Sequence, residues 1–559
     1  MGCGRPRGVH TPSLPSPRVS PAAAPNPEVS SPRRAARLPV LISALSGTTG
    51  FVIKIAFLSV SNALAIWAVY ALATRHNWIA VAGLAAVTAA IDFVYLVRRA
   101  PLPMKFLVPG TLLLVAFQLI PIIYTIDTAF TNYSTSHLLS KADAIQSLPP
   151  EYTYQPPNAP SYNMAIAQSA TGYSLILRDD ATGKFYIGTK SALTPVASGS
   201  VTFTGGKITA AKGYTVAQGI VEINSAFDAV SGLKVPAGHG HYIGVSDPYH
   251  AVTLKSFLRY DAKRDVFVVI AKGTSIPKGT VYRDDGNGEF AAPGQQPLQT
   301  GWKTYIGGAN FSTLIHNSNY RSPFIRIFIW TFVFAASTVF LSFAIGLLLA
   351  IALDKRGMRF QRTYRSLLII PWAVPGFLSL LVWGGLLNNE FGVVNRILHL
   401  DVQWLVDANW ARFSCILVST WLTIPYFFVV SMGALQSIPG ELVEAARVDG
   451  ASALQVFRKI TLPLLLVAVG PLLIASFAFN FNNFNNIYLL TKGGPIFSGG
   501  NGIAGATDIL ISYTYKIGIS SGLGQNYGLA SAITIIIFLI TAALSTVGFS
   551  RTRVLEDRA

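Results

Sequence analysis

Eight apolar segments constrain the fold of this chain more than any other feature of its sequence. Each reaches or approaches the roughly 20 residues that a helix needs to cross the hydrocarbon layer of a bilayer. Because unpaired backbone groups are not tolerated in lipid, such segments predict an all-α polytopic membrane protein with about eight transmembrane helices. The predicted spans are residues 51–73, 78–97, 106–126, 324–353, 366–387, 411–435, 464–490 and 527–548.

The basic residues predict the orientation of these spans. The chain has a formal net charge of +18, which in a soluble protein would favour nucleic acid as a partner. Here the basic residues lie mainly beside apolar runs, so we expect no nucleic acid partner. They concentrate in alternate connections, and by the positive-inside rule both termini are expected to be cytoplasmic. The basic side of the bundle carries Arg98, Arg99, Lys105, Lys355, Arg356, Arg359, Arg362, Arg365, Arg458, Lys459, Arg551 and Arg553.

Between the third and fourth segments lies one long polar insertion, which this topology places outside the cytoplasm. A turn at 179–183 separates Tyr173–Leu177 from Lys184–Ile187, which predicts short antiparallel strands. The insertion is therefore expected to be a β-rich domain. The predicted organisation is a disordered cytoplasmic tail at 1–45, transmembrane helices 1–3 at 46–126, the insertion at 127–322, helices 4–8 at 323–550 and a cytoplasmic tail at 551–559.

The connection at 436–463 predicts a short helix at the membrane surface. Pro439 and Glu441 suit a helix start, because proline needs no amide partner there and acids favour the positive end of the helix dipole. Gly450 suits a C-terminal cap. Spacing alone leaves open whether this helix meets a partner or only joins two spans. The face at i, i+3, i+4 and i+7 carries Leu442, Ala445, Ala446 and Asp449.

The seventh segment has a polar, uncharged face. Ser476, Phe479, Asn480 and Asn483 follow helical spacing and offer a hydroxyl, an aromatic ring and two amides. Amides donate and accept, as sugar hydroxyls require once they leave water, while a ring can lie against an apolar sugar face. The alternative is packing between helices. A second strip, formed by Asn482, Asn485 and Asn486, is expected to bond to neighbouring helices or to lie at lipid-headgroup depth.

Three motifs in the surface connection carry a resemblance to a known family. Glu444-Ala445-Ala446, Asp449-Gly450-Ala451 and Ile460-Thr461-Leu462-Pro463 resemble the EAA motif of ABC-importer permeases. The resemblance implies a type I permease core whose surface helix is the coupling helix that docks on a separate ATPase. The residues it implies at that contact are Glu444, Ala445, Ala446, Asp449 and Gly450.

Further segments resemble the larger permease of maltose/maltodextrin importers, the MalF type, over residues 50–550. They are 130–134, beyond the third span, and 474–484 in the seventh. The resemblance implies a transmembrane sugar site at Ser476, Phe479, Asn480 and Asn483, with Thr423 and Tyr426 of the sixth span beside the sugar. It implies a bacterial inner-membrane location. The implied partners are a second permease subunit, two copies of an ATPase subunit, a periplasmic sugar-binding protein and membrane lipid.

No phosphate-binding Gly-x4-Gly-Lys-Ser/Thr loop occurs in the sequence, so energy is expected from another chain. This chain is expected to bind no cofactor and no metal, with ATP and magnesium on the partner ATPase, and to be a transport subunit rather than an enzyme.

Three other functions remain as alternatives. The same machinery can serve another carbohydrate such as trehalose, or glycerol phosphate, for which basic residues facing the pore would be expected. An ion-coupled secondary transporter would show paired half-repeats and a charged residue in a broken helix. A membrane-anchored enzyme would need a clustered catalytic set, and His239, His241 and His250 lack an acid at metalloenzyme spacing.

Overall fold

The computed structural model describes residues 47–74, 78–96, 102–169, 172–271, 275–354, 358–498, 502–520 and 525–556. They form two compact units, divided between Gln118 and Leu119. The expected N-terminal tail at 1–45 lies outside the described residues. The last helix continues to Glu556, beyond the predicted end of the eighth span.

The first unit contains apolar helices. Helix α1 spans Gly47–Thr74, α2 spans Trp78–Leu96 and α3 spans Leu102–Leu114, followed by a π-helical turn at Val115–Leu119. The Asn62 amide donates to Asp92 Oδ1 at 3.0 Å, which joins α1 to α2. This bond gives the carboxyl a polar partner within an apolar helix pair, where an unpartnered one would be costly.

The second unit holds the remaining helices and all the described strands. Its helices are α4 Ile120–Ala129, α5 Lys141–Glu151, α6 Ile220–Val230, α7 Ala309–His316, α8 Ser318–Ala352, α9 Gln361–Ala373, α10 Gly376–Leu386, α11 Val393–Leu398, α12 Ala408–Ser437, α13 Gly440–Val448, α14 Ala453–Val456, α15 Leu462–Phe481, α16 Phe484–Thr491, α17 Leu510–Tyr515 and α18 Tyr527–Glu556. Two π-helical turns, Phe457–Thr461 and Lys516–Ser520, follow α14 and α17.

Within the described residues, seven helices are long and apolar enough to cross a membrane, or eight if one bent pair is counted as a span. The bent pair is α9 and α10, which meet at 92° within the predicted fifth span. Pro375 has no N–H to continue the helix, and the residue before it, Val374, is extended at φ −87° and ψ 131°. The span predicted at 366–387 is thus present as this bent pair and not as one straight helix.

The predicted seventh span is also broken. Helix α15 ends at Phe481, and α16 begins at Phe484. Asn483 precedes α16 as its N-cap, and its side chain accepts a hydrogen bond from the Asn486 N–H at 3.3 Å. Asparagine stabilises a helix start in this way, so the local sequence ends one helix and begins another.

Helices α8 and α12 pack against each other in the second unit, and their backbones come close together at a glycine. A Cβ added at Gly346 would lie 2.8 Å from Phe428 N and 2.9 Å from the Phe427 carbonyl carbon. Small residues allow such close backbone approach between membrane helices, where van der Waals packing drives association.

We therefore expect Gly346→Val to destabilise the bundle by about 1–3 kcal/mol, as overpacking does. Gly433→Val is the matched control, because Gly433 lies within α12 and a Cβ there meets nothing within 4 Å. Thermal denaturation of the purified, detergent-solubilised chain measures the effect. Equal melting temperatures for the two variants would contradict this packing.

The insertion is β-rich, as predicted. Within the described residues it holds a nine-stranded sheet with the central order β5-β4-β3-β2-β11-β10-β9, a four-stranded sheet β12-β13-β14-β15 and the hairpin β6-β7. The strands are β1 Thr153–Tyr154, β2 Ser161–Ser169, β3 Gly172–Asp179, β4 Phe185–Gly188, β5 Leu193–Val196, β6 Val201–Thr204, β7 Lys207–Ala211, β8 Thr215–Val216, β9 Lys234–Gly238, β10 His241–Asp247, β11 His250–Ser256, β12 Leu258–Asp261, β13 Val266–Val269, β14 Val281–Asp284 and β15 Phe290–Ala291.

Local chemistry explains the predicted hairpin between β3 and β4. Asp179 Oδ1 accepts hydrogen bonds from the backbone N–H groups of Ala181 and Thr182 at 2.9 and 3.2 Å. Gly183 has a φ of +69°, which glycine adopts without steric cost. This turn connects paired antiparallel strands and leaves their apolar residues in the core.

The insertion is attached to the membrane helices through a buried junction. The amide of Asn310, in α7, donates to the carbonyl oxygens of Ala129 and Thr131, both at 2.8 Å. Thr131 is fully buried, and Gly528, at the start of α18, lies against its carbonyl. The predicted segment 130–134 therefore connects the end of α4, the insertion and the last span.

A buried ion pair lies in the segment that joins α16 to α18. Lys516 Nζ is 2.7 Å from Asp508 Oδ2, and the Asp508 side chain is completely buried. Gly505 N–H and the Ser512 hydroxyl also donate to this carboxylate, at 2.7 and 2.8 Å. Burial raises the pKa of the Asp508 carboxyl, while Lys516, Ser512 and Gly505 act in the opposite direction.

Candidate functional site

A cavity of about 740 Å³ opens within the second unit where four parts of the bundle meet. These parts are the bend between α9 and α10, the middle of α12, the C-terminal half of α15 and the start of α16. The lining residues are Pro371, Trp372, Ala373, Val374, Pro375, Gly376, Leu422, Thr423, Tyr426, Ala475, Ser476, Phe479, Asn480 and Asn486. No charged side chain occurs in this described lining.

The structure brings five of the six predicted sugar-contacting residues to this cavity. Ser476, Phe479 and Asn480 reach it from α15, and Thr423 and Tyr426 reach it from α12. Helical spacing places the first three on one face, but only the packing of α15 beside α12 brings the two sets together.

Asn483 does not line the cavity. The prediction extended the helical face of α15 by one more turn, and that extension was wrong because α15 ends at Phe481. Asn486 lines the cavity instead, and it donates to the Ser419 hydroxyl on α12 at 3.0 Å. The expected bond from the second asparagine strip to a neighbouring helix is thus confirmed for Asn486.

Asn480 carries a buried carbonyl oxygen without a hydrogen-bond partner among the described residues. Its Nδ2 donates to the Ser476 carbonyl at 2.9 Å, and the side chain is 1% exposed. A buried, unsatisfied acceptor costs about 1–3 kcal/mol, and proteins satisfy nearly all such groups. The cavity wall therefore holds an amide oxygen that has no hydrogen-bond partner among the described residues.

Aromatic rings supply the apolar part of the lining. Phe479 lines the cavity, and its side chain is 69% exposed. The ring centroids of Tyr426 and Trp372 are 5.9 Å apart with an interplanar angle of 50°. Thr423 Oγ1 donates to the Ser419 carbonyl at 2.7 Å, so its lone pairs are left to accept. Rings and neutral polar groups together suit an uncharged, amphipathic ligand.

The contribution of the bend was missed from the sequence. The signal was available in residues 371–376, where two prolines and a glycine interrupt an apolar segment. Such residues mark breaks in helical patterns. Trp372, which lies at this bend, lines the cavity although the sequence did not predict it there.

The second candidate site is the surface helix α13. It begins after Pro439 and ends in the hydrogen-bond pattern that glycine caps favour, with Gly450 N–H donating to the Arg447 carbonyl at 3.1 Å and Ala451 N–H donating to the Ala446 carbonyl at 2.9 Å. Gly450 has a φ of +82°. The predicted short helix and its glycine cap are thus confirmed.

The surface of α13 and α14 is open and partly apolar. Glu444, Ala445, Asp449 and Gly450 are exposed, and Ala446 is half-buried. Further apolar side chains remain uncovered beside them, with Val448 88% and Leu454 64% exposed. Contiguous exposed apolar groups mark interaction surfaces.

No group of three or more His, Cys, Asp or Glu side chains that would hold a metal ion occurs in the described part of the chain. His239, His241 and His250 of the insertion therefore form no such cluster with other described residues.

Two family models match the chain. Residues 342–559 match a binding-protein-dependent transport system inner membrane component. Residues 112–191 match the N-terminal region of the transmembrane subunit in binding-protein-dependent ABC transporters. The second match covers the third span and the start of the insertion.

Curated relatives extend this similarity over most of the chain. The maltose/maltodextrin transport system permease protein MalF of Salmonella typhi is 36% identical over 466 residues, covering 81% of this chain and 87% of the relative. MalF of Escherichia coli K12 is 35% identical over 471 residues, with coverage of 81% and 87%.

Among solved structures, a bacterial ABC transporter that imports the acidic polysaccharide alginate is 23% identical, with a TM-score of 0.39 over 44% of this chain and 84% of that one. The methionine transporter MetNI is 18% identical, with a TM-score of 0.32 over 43% of this chain and 99% of that one.

Proposed function

Because the chain belongs to the MalF family of maltose/maltodextrin transport permeases, we propose that it is the sugar-translocating subunit of an ATP-driven importer. Its substrate is maltose or a maltodextrin, and its location is the bacterial inner membrane, with both termini in the cytoplasm. The observation that supports this proposal most directly is the uncharged cavity that collects five side chains from two membrane helices.

The chemistry of the cavity favours a carbohydrate. Its volume of about 740 Å³ lies within the range of roughly 300–1,000 Å³ that is typical of small-molecule sites. Sugar hydroxyls find acceptors and donors in Asn480, Thr423 and Tyr426, and an apolar ring face finds Phe479. A neutral lining also avoids the cost of about 2.5–3.5 kcal/mol for an ionised side chain at mid-membrane.

The same lining argues against the other substrate classes. A phosphorylated solute such as glycerol phosphate calls for Arg or Lys, and an ion-coupled transporter calls for an ionisable group at the site. No Asp, Glu, His, Lys or Arg side chain lines the described cavity. Another neutral oligosaccharide, such as trehalose, is tested by the same uptake experiment.

Helix α13 is the proposed contact with a separate ATPase. Glu444, Ala445, Ala446, Asp449 and Gly450 form that contact, and the small alanine side chains let the partner approach the backbone. The exposed Val448 and Leu454 supply apolar area beside it. Closure of two ATPase subunits on ATP and magnesium moves this helix and thereby reorients the bundle.

The remaining partners follow from the same assignment. A second permease subunit completes the sugar route, and a periplasmic binding protein delivers the sugar to the side that carries the insertion. Alternation between inward-facing and outward-facing states requires that each ligand favours one of them.

We expect the importer to accumulate radiolabelled maltose when its four kinds of subunit are reconstituted in liposomes with ATP. In the same assay Asn480→Leu should reduce uptake by about tenfold, because a buried hydrogen bond to a sugar is lost. Labelled trehalose and glycerol phosphate are supplied in parallel. ATP-dependent uptake of either one in place of maltose would assign the substrate to that alternative.

The control for this substitution is Asn485→Leu, because Asn485 is exposed and lies outside the cavity. The two asparagines are five residues apart, so general effects of losing an amide in this region are matched. Equal uptake by the Asn480→Leu and Asn485→Leu variants would contradict a role for the cavity in sugar transport.

A further inference from the structure

A groove of about 470 Å³ lies at the end of the bundle where the insertion joins the membrane helices. Its walls come mainly from α4, from α17 with the π-helical turn after it, and from α18. Ala129 ends one candidate membrane span and Tyr527 begins another, so the groove lies at the level where these spans leave the hydrocarbon. It shares no lining residue with the uncharged cavity described above.

Aromatic and aliphatic side chains form most of the groove. The ring centroids of Tyr133 and Tyr527 are 5.0 Å apart. Those of Phe484 and Tyr515 are 4.9 Å apart, and Ile519 beside them is 55% exposed. Tyrosine is enriched where membrane helices meet water, because its ring is apolar and its hydroxyl is polar. The groove therefore suits a ligand that is apolar along most of its length and polar at one end.

Thr128 supplies a buried polar atom to this groove. Its side chain is 2% exposed, and its Oγ1 has no hydrogen-bond partner in the described part of the chain. Three other threonines of the lining donate to the carbonyl four residues earlier, at 2.7–2.9 Å; they are Thr125, Thr514 and Thr534. Proteins satisfy nearly all buried hydroxyls, because an unpaired one is costly. The Thr128 hydroxyl is thus available to an acceptor on a ligand.

A charged pair lies beside the same groove. Lys303 Nζ is 3.5 Å from Asp127 Oδ2, and the two side chains are 32% and 37% exposed. The same Nζ lies 5.7 and 5.2 Å from the ring centroids of Tyr124 and Tyr133, which line the groove. An ammonium next to a carboxylate complements a ligand that carries a phosphate next to an ammonium. A purely anionic headgroup would be repelled by Asp127, and a quaternary ammonium has no N–H to donate to it.

We propose that this groove binds one diacyl phospholipid with an ethanolamine headgroup. Lys303 takes the phosphate, Asp127 accepts from the headgroup ammonium, and the Thr128 hydroxyl donates to an ester carbonyl. One acyl chain follows the apolar wall between α4 and α18. The lipid thus supports the junction that attaches the insertion to the membrane helices. This inference does not depend on which sugar the chain transports.

Native mass spectrometry tests this site on the importer purified in detergent, with this chain assembled with its partner subunits. Dioleoyl phosphatidylethanolamine, phosphatidylglycerol and phosphatidylcholine are added in turn, and the affinity of the most tightly held lipid is measured. We expect the ethanolamine lipid to bind at least about fivefold more tightly than the other two, and Thr128→Val to weaken it by about fivefold, the effect of one lost hydrogen bond. Asp127→Asn should abolish the preference over phosphatidylglycerol.

Thr338→Val is the matched control for the hydroxyl, because Thr338 Oγ1 is also buried without a partner among the described residues but lies on α8, outside the groove. Asp354→Asn is the control for the charge, since Asp354 pairs with Arg365 at the opposite end of α8. Neither control should change binding of the ethanolamine lipid.

Three results would each overturn the inference. Equal affinity of the wild-type importer for the three lipids would leave only non-selective lipid at this surface. Wild-type affinity in Thr128→Val, or an equal loss in Thr338→Val, would mean that the lipid lies elsewhere and that a protein segment covers the groove. A preference that persists in Asp127→Asn would remove the headgroup contact on which the choice of lipid rests.

Discussion

Gly450→Leu is expected to reduce ATP-driven sugar uptake by about thirtyfold, the effect of losing roughly 2 kcal/mol at an interface hot spot. Gly450 lies at the end of the exposed helix α13, and a Cβ there meets nothing within 4 Å of this chain. A side chain at this position therefore projects outward, into the space that the proposed ATPase contact occupies. Uptake into liposomes and the amount of ATPase subunit that co-purifies measure the loss.

Backbone strain has to be separated from loss of the partner. The φ of +82° at Gly450 disfavours any residue with a Cβ, by about 1–2 kcal/mol. Gly213 has a φ of +83° and is equally open, but it lies in the insertion. Gly213→Leu thus carries the same strain away from α13. Loss of uptake in both variants, or in neither, would contradict a coupling role for Gly450.

Lys516→Met should destabilise the protein by about 3–5 kcal/mol, because it leaves the buried Asp508 carboxylate without its counter-charge. Asp508 is completely buried, and Lys516 is 12% exposed, so solvent compensates little for the lost partner. For a unit of this size, that change corresponds to a fall of about 3–5 °C in melting temperature. Thermal denaturation of the solubilised chain measures it.

The double variant with Asp508→Asn and Lys516→Met separates charge burial from packing. The amide oxygen of Asp508→Asn still accepts from Gly505 N–H, whose bond to Oδ2 measures 2.7 Å, and the amide NH2, which replaces Oδ1, can donate to the Ser512 hydroxyl, whose bond to Oδ1 measures 2.8 Å. We expect the double variant to recover most of the melting temperature that the single variant loses. If both variants melted together, the effect of Lys516 would come from its packing and not from its charge.

The sequence predicted the features that depend on local properties. Hydropathy and length identified the membrane segments, because a helix in lipid must be both long and apolar. The Asp179 turn and the Gly450 cap were likewise predictable, since each depends on contacts within a few residues. Ser476, Phe479 and Asn480 share a face for the same reason.

The position of Asn483 could not be predicted from helical spacing alone. Its position followed from assuming that α15 continued, but asparagine is equally suited to cap the next helix, and the structure has that cap. Periodicity states which residues share a face only while the helix persists. Whether a helix persists at such a residue depends on what its ends contact.

What the sequence alone determined is the set of membrane segments, the β-rich insertion and the capped surface helix, because each follows from interactions between near neighbours. Tertiary structure alone decided that the bend at 373–376 brings Trp372 to Tyr426, that Asn486 replaces Asn483 at the cavity, and that Lys516 pairs with Asp508. These contacts depend on how the helices and loops pack together, and their contribution to stability depends on burial. The periodicity of the sequence does not predict this packing.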